Sequence, residues 1–291
     1  MLRNRILTAL LLIPLFVGGI FWASTPVFAA LLAVVVLIGA WEWSRLMGLG
    51  KYWQRALYIF LMALLLIAAA NLRSQPVLLQ EILTVTVVLW CVFSGWIIYV
   101  NQNGPVARKD LPLPLSALMG VWLLLPTWLS LIHLHGSGSA GPVWLLLLMV
   151  LIWGADSGAY FCGRLWGKHK LAAQVSPGKT WEGVGGGMVL ALLLVLPLSL
   201  WLLSARQGND ALSNQASTAL WYALLCIMTI AFSISGDLLE SVIKRRAGVK
   251  DSGHILPGHG GVLDRIDSLT AAAPSFTLGL LMLGLITGAG T

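Results

Sequence analysis

Nine apolar stretches, each about as long as a helix needs to cross a bilayer, divide this chain from end to end. A helix covers the roughly 30 Å hydrocarbon core in about 20 residues. Stretches of that kind run over approximately 6–22, 27–46, 55–72, 77–99, 112–132, 142–162, 183–204, 218–238 and 268–289. Turn-forming clusters separate them, among them Ser24-Thr25-Pro26, Asn101 to Pro105 and Gly136 to Ser139. Only 10% of the 291 residues are charged while 58% are hydrophobic, and the mean hydropathy is +0.87. A soluble domain carries about 25% charged residues, so this chain has too few to cover a water-facing surface. The expected fold is an all-α, polytopic transmembrane helical bundle. No repeat of fixed period and no linker is visible, which predicts a single membrane domain over 1–291. Within it, 1–140 are N-terminal spans and 141–291 the half that carries the chemistry.

Orientation follows from the basic residues. Sixteen of the eighteen Lys and Arg fall on one side of the alternating spans, and only Arg73 and Arg206 on the other. Positive loops stay in the cytoplasm, so the N-terminus and the basic loops are expected there, in a multi-pass protein of the inner membrane. The same placement speaks against a nucleic-acid partner despite the net charge of +7, because no free basic domain exists. Arg3, Arg5, the apolar run from Ile6 and Val27-Phe28-Ala29 before Ala30 imitate a secretory signal. An uncleaved first span is the favoured reading, and a cleaved one leaves the remaining orientation unchanged. Cys91, Cys162 and Cys226 lie inside apolar runs without metal-ligand or disulfide spacing, and read as packing residues.

Two cytoplasmic loops are long, polar and glycine-rich, about Gly163 to Glu182 and Lys244 to Asp267, and they are expected to form the site. Acids near membrane depth are costly and usually functional. Glu42 sits between Trp41 and Trp43, where an interfacial aromatic belt suffices to explain it. Belts likewise explain most of the 14 tryptophans. Asp156 lies among small residues that favour close helix packing. Asp237 and Glu240 share a helix face at i, i+3, with Lys244 or Arg245 in reach as ion-pair partners. Asp264 and Asp267 repeat that spacing just before the last span. They are placed either to cap a helix dipole or to hold Mg²⁺, which keeps waters and bridges to phosphate. Lys250, Asp251, His259, Arg265 and the glycines at 258, 260 and 261 favour the second reading: exposed N–H groups and fixed cations suit phosphate. Carboxylates, cations and a flexible backbone together are what nucleotidyl or phosphoryl transfer requires. Gly178-Lys179-Thr180 imitates the end of a P-loop, but Ala173 stands where a glycine is demanded and no preceding strand is expected. Gly183 and Gly187 have helix-packing spacing. His133 and His135, on the far face, read as ordinary loop residues.

The run from Ser241 to Asp267 resembles the signature of the phosphatidate cytidylyltransferase (CDP-diacylglycerol synthase) family. It matches at Ser241, Lys244, Arg245, Lys250, Asp251, Gly253, Pro257, His259, Gly260, Gly261, Asp264, Arg265 and Asp267. Asp156 to Phe161, Ser176 to Gly183 and Ser235-Gly236-Asp237 are similar to further family segments, so the likeness spans about 150–275. The family commonly has a second lysine where Gly178 stands. The resemblance implies transfer of a cytidylyl group from CTP to phosphatidic acid, giving CDP-diacylglycerol and pyrophosphate. It implies Mg²⁺ at Asp264 and Asp267, with Asp237. It implies catalytic roles for Lys244, Arg245, Lys250, Asp251, His259 and Arg265, His259 binding phosphate rather than acting as a base. Substrate binding falls to Ser176, Lys179, Thr180, Glu182, Ser241, Gly260 and Gly261. A homodimer is implied as well. Rival readings are a CTP-dependent lipid kinase, a transporter and a catalytically inactive relative kept for membrane interaction. Acyl-chain preference and the choice of CTP or dCTP stay open.

Overall fold

In the computed structural model the chain is a bundle of long helices, described over residues 14, 16–104, 111–207, 212–255 and 260–286. After helical residues 16–22 come α1 (Thr25–Leu46), α2 (Tyr52–Ala70), α3 (Pro76–Gln102), α4 (Leu113–His135) and α5 (Gly141–Trp166). A hairpin of β1 (Lys170–Ala172) and β2 (Ser176–Thr180) then leads into α6 (Trp181–Gln207), α7 (Leu212–Arg246) and α8 (Leu263–Met282). Seven of these helices are long and apolar enough to cross a membrane, so the protein is a multi-pass membrane protein. The expected first span falls mostly outside the described residues. Four helices, α1, α3, α4 and α5, carry proline in the first turn, where the missing N–H costs nothing.

The last expected span differs in kind from the others. Helix α8 is not among the seven, yet it sits in the middle of the bundle, packed against α7, α4, α3, α5 and α1. Ala271, Ala272, Ala273 and Phe276 are fully buried. The indole of Trp90 on α3 and the hydroxyl of Thr127 on α4 both donate to the carbonyl of Thr270. A helix shielded by protein does not need the hydropathy that lipid demands.

Helices α5 and α6 meet along glycine and alanine. A Cβ on Gly158 would stand 2.8 Å from the Gly186 carbonyl oxygen and the Gly187 Cα, and one on Gly183 2.9 Å from the Ala159 carbonyl. Gly183 and Gly187 are therefore packing residues, as their spacing predicts.

Five expectations are corrected. The loop from 163 to 182 is mostly ordered structure: α5 continues to Trp166, and the rest is an antiparallel hairpin with Lys170 opposite Thr180 and Ala172 opposite Ser176. The Gly178-Lys179-Thr180 run lies within β2, preceded by β1, so it is an extended strand and not a phosphate loop. The second loop is shorter than expected because α7 continues through Lys244, Arg245 and Arg246. It ends where Gly248 takes φ +71 and the Val249 N–H returns to the Lys244 carbonyl. His133 and His135 are buried in the last turn of α4, where His135 bonds the Ile20 carbonyl and the Thr25 hydroxyl, each at 3.0 Å, and stacks on Phe28. Nor are all the tryptophans at interfaces: Trp43, Trp90 and Trp144 are fully buried. A buried indole is stable where its N–H finds a carbonyl, as Trp43 does at Ser116 (2.8 Å).

Candidate active site

The last turns of α7 carry Asp237, Glu240, Ser241 and Lys244 on one face, at helical spacing. The first turns of α8 carry Asp264 and Asp267, and the two helices pack side by side. Lys244 bridges them: its Nζ lies 2.7 Å from Glu240 Oε2 and 2.6 Å from Asp264 Oδ1. Asp264 also accepts from the Ser252 N–H (3.0 Å) and the Gly261 N–H (2.8 Å), both at Oδ2. Burial opposes its ionisation, but Lys244 and these amides outweigh burial and hold its carboxyl below the ordinary carboxylate range. Asp267 lies within electrostatic reach of Asp237, Glu240 and Lys244, and its Oδ1 accepts from the Ser268 N–H. Glu240 Oε1 is buried, and no donor reaches it among the described residues.

The first polar segment joins this cluster through one residue. Lys179, on β2, extends to Asp237 with Nζ 2.7 Å from Oδ2. Asp156 on α5 is in electrostatic reach of both. These three charges line a cavity of about 290 Å³ between α5, α6, α7 and β2, whose other walls include Tyr160, Ile230 and Ile234.

Four carboxylates, Asp237, Glu240, Asp264 and Asp267, thus face two lysines. With all four ionised the cluster would carry two more negative than positive charges before Asp156 is counted. Neighbouring carboxylates call for a cation between them or a shared proton, and the undonated Glu240 oxygen is the kind of atom that would accept a hard cation. A divalent ion fits this donor set. Among the described residues no three His, Cys, Asp or Glu stand ready-made as a metal cage, and lysines hold three of the four carboxylates.

The remaining candidates are placed variously. Arg245, Lys250, Asp251 and Arg265 are exposed at the same end of the molecule. Ser241 donates weakly to Asp237 at 3.4 Å. Ser176 is half-buried on β2. Thr180 is buried, and its hydroxyl accepts from the Gly183 N–H at the start of α6. Glu182 binds the ring and backbone N–H of His169, at 2.6 and 3.2 Å, and so fastens the base of the hairpin. Gly260 takes φ +84, a conformation glycine adopts without strain. The Gly261 amide is directed at Asp264, not outward. His259 lies outside the described residues. Two acids matter more here than their sequence surroundings suggest. Asp156 is a cavity residue, and acidity at membrane depth was the signal for it. Glu42 is 1% exposed, which excludes an aromatic-belt role. It accepts from the N–H groups of Val262 (3.0 Å) and Leu263 (2.7 Å) and from the Ser252 hydroxyl (3.3 Å).

Known proteins resemble this chain along most of its length. Residues 3–283 match the cytidylyltransferase family. A Pseudomonas aeruginosa protein named phosphatidate cytidylyltransferase is 42% identical over 278 residues, covering 95% of this chain and 96% of its own. A Haemophilus influenzae protein of the same name is 36% identical over 289 residues, covering 95% and 98%. One from Staphylococcus saprophyticus is 40% identical over 158 residues, covering 53% of this chain and 55% of its own. With both chains of the first two pairs matched almost end to end, and the carboxylate cluster inside the matched region, this chain belongs to the cytidylyltransferase family.

Proposed function

We infer that this protein transfers the cytidylyl group of CTP to phosphatidate, releasing pyrophosphate and forming CDP-diacylglycerol for phospholipid synthesis. The single observation that carries the reading is the 42% identity, along 95% of the chain, to a protein named for that reaction. A charged cluster beside a cavity walled partly by apolar residues supports it, since the substrates are one nucleotide and one lipid.

In the reaction an oxygen of the lipid phosphate attacks the α-phosphorus of CTP. The bond from that phosphorus to the bridging oxygen breaks, and pyrophosphate leaves. The attacking phosphate is already ionised at neutral pH, so the site must neutralise and orient rather than remove a proton. Lys179 exchanges Asp237 for a substrate phosphate oxygen. It is the lysine placed to do so, because it lies in the cavity wall and its bridge is partly open to solvent. Tyr160, Ile230 and Ile234 give the cavity apolar walls that suit the acyl chains of a lipid where they leave the glycerol. Arg245, Lys250 and Arg265 neutralise the triphosphate and the departing pyrophosphate.

Mg²⁺ belongs to the same proposal, held by Asp237, Asp264 and Asp267 with Glu240 added to the set. When bound it would neutralise charge on the triphosphate. Lys244 keeps Glu240 and Asp264 together at the α7–α8 junction. A cytoplasmic site in the inner membrane follows from the sixteen basic residues on one side. A homodimer is also proposed, to be read from native mass spectrometry.

Purified protein given CTP labelled at the α-phosphate, phosphatidate and Mg²⁺ tests the reading. Label moving into lipid is the expected result. CDP appearing beside a newly phosphorylated lipid would make it a kinase instead, and no consumption of CTP would overturn the proposal.

A further inference from the structure

Every acid placed in the site so far belongs to the C-terminal half of the chain except Glu42, which reaches it from α1. We propose that Glu42 is a positioning residue of the reaction: its charge orients the turn that presents Asp264 and Asp267. The proposal rests on the cytidylyl-transfer reading above.

Three donors converge on the Glu42 carboxylate, and they come from the same short segments that hold Asp264. Ser252 gives its amide to Asp264 and its hydroxyl to Glu42. The amides leading into α8 divide in the same way: that of Gly261 goes to Asp264, those of Val262 and Leu263 to Glu42. Two carboxylates, one from each half of the protein, thus share one strap. If the first turn of α8 rotates, both sets of bonds break together.

Two signature glycines answer to the same residue. A Cβ at Gly261 would stand 2.5 and 2.7 Å from the two carboxylate oxygens of Glu42, and one at Gly253 2.6 Å from its carboxyl carbon. Close approach to Glu42 is therefore a second reason for glycine at these positions, besides any contact with phosphate.

The charge itself is required. No Lys, Arg or His forms an ion pair with Glu42 among the described residues. Its countercharge is the N-terminal end of α8, whose first amides have no partner within the helix and carry partial positive charge. Both oxygens already accept from backbone N–H groups. An amide side chain would turn its own N–H against one of these donors, so glutamine is not a neutral replacement here.

The test compares full-length native protein with Glu42→Gln, Glu42→Asp and Ser252→Ala, all in detergent with phosphatidate, by labelled-CTP turnover and thermal unfolding. For Glu42→Gln the expected result is a fall in kcat of about 10- to 100-fold, the range for residues that orient catalytic ligands. Its KM for CTP is expected to stay within about threefold, as for loss of an effect on the reacting state rather than on binding. Its unfolding temperature is expected to stay within about 3 °C, the shift of roughly 1 kcal/mol in a chain of this size. Glu42→Asp keeps the charge and falls between. Ser252→Ala, which removes only the hydroxyl link, lowers kcat less but in the same sense. Native kcat in Glu42→Gln overturns the proposal, as does a lower unfolding temperature with unchanged rate per folded molecule. If Glu42→Gln does not fold, Ser252→Ala decides, and native kcat there overturns it. Native protein inactive in the same assay would be a failure of the reaction reading, visible before any variant is compared.

Discussion

Two lysines pair with carboxylates in this site, and their surroundings are opposite. Lys244 stands between Glu240 and Asp264 with side-chain exposures of 13%, 5% and 9%, inside the junction of two packed helices. Lys179 reaches Asp237 from a short strand at a cavity wall, with 25% and 31% of the two side chains open. A buried pair is costly to break from one side, because the partner is left charged and unsolvated. A half-open pair contributes little and is screened. Similar chemistry thus serves two ends. Lys244 joins α7 to α8, and Lys179 is the lysine proposed to exchange its carboxylate for an incoming phosphate.

The comparison can be broken in several ways, and the largest effect is expected at the acid the buried lysine holds. Asp264→Ala should lower labelled-CTP turnover by at least about 10²-fold, the usual consequence of losing one preorganised electrostatic group. Turnover near native in folded protein would remove Asp264 from the site. Next, Lys244→Met should destabilise the fold by about 3–5 kcal/mol, since two buried carboxylates lose their cation. Thermal unfolding in detergent measures this, and an unchanged midpoint would put Lys244 in the same class as Lys179. Lys179→Ala should leave the unfolding midpoint nearly unchanged, because an exposed pair contributes about 0–1 kcal/mol. Its effect should appear instead as a KM for one anionic substrate raised about tenfold, equal to one lost charge-assisted contact of roughly 1.4 kcal/mol. A stability loss as large as that of Lys244→Met would erase the distinction. The smallest effect is ionic. Raising salt from 0.1 to 1 M shortens the screening length from about 10 to about 3 Å, so KM should rise a few-fold in native protein and respond less in Lys179→Ala. An equal response in both would place the screened contact elsewhere.

Legibility differed by the range of the interaction involved. Asp237 and Glu240, and Asp264 and Asp267, were visible because i, i+3 spacing alone puts residues on one helix face. Which lysine meets which acid was not. The local reading paired Lys244 or Arg245 with Asp237 and Glu240, and the fold pairs Lys244 with Glu240 and with Asp264, twenty residues on, leaving Asp237 to Lys179. The hairpin at 170–180 was missed because Pro177 and Gly178 are poor strand residues. Here ladder pairing and the His169–Glu182 contact override that propensity. His135 and Glu42 were misread for one reason: a polar residue beside a turn or among tryptophans looks interfacial until its distant partners are known.

By itself the sequence determined that the chain lives in lipid, since hydropathy and length are sums over neighbouring residues and need no partner. It also put eight of the eleven acids in residues 141–291. The tertiary structure alone decided that the last helix is central rather than lipid-facing, that Lys179 closes on Asp237, and that Glu42 accepts the Leu263 amide across 221 residues of chain. Those are contacts between helix ends, and a buried carboxylate reveals its role only once the backbone amides that satisfy it are in place.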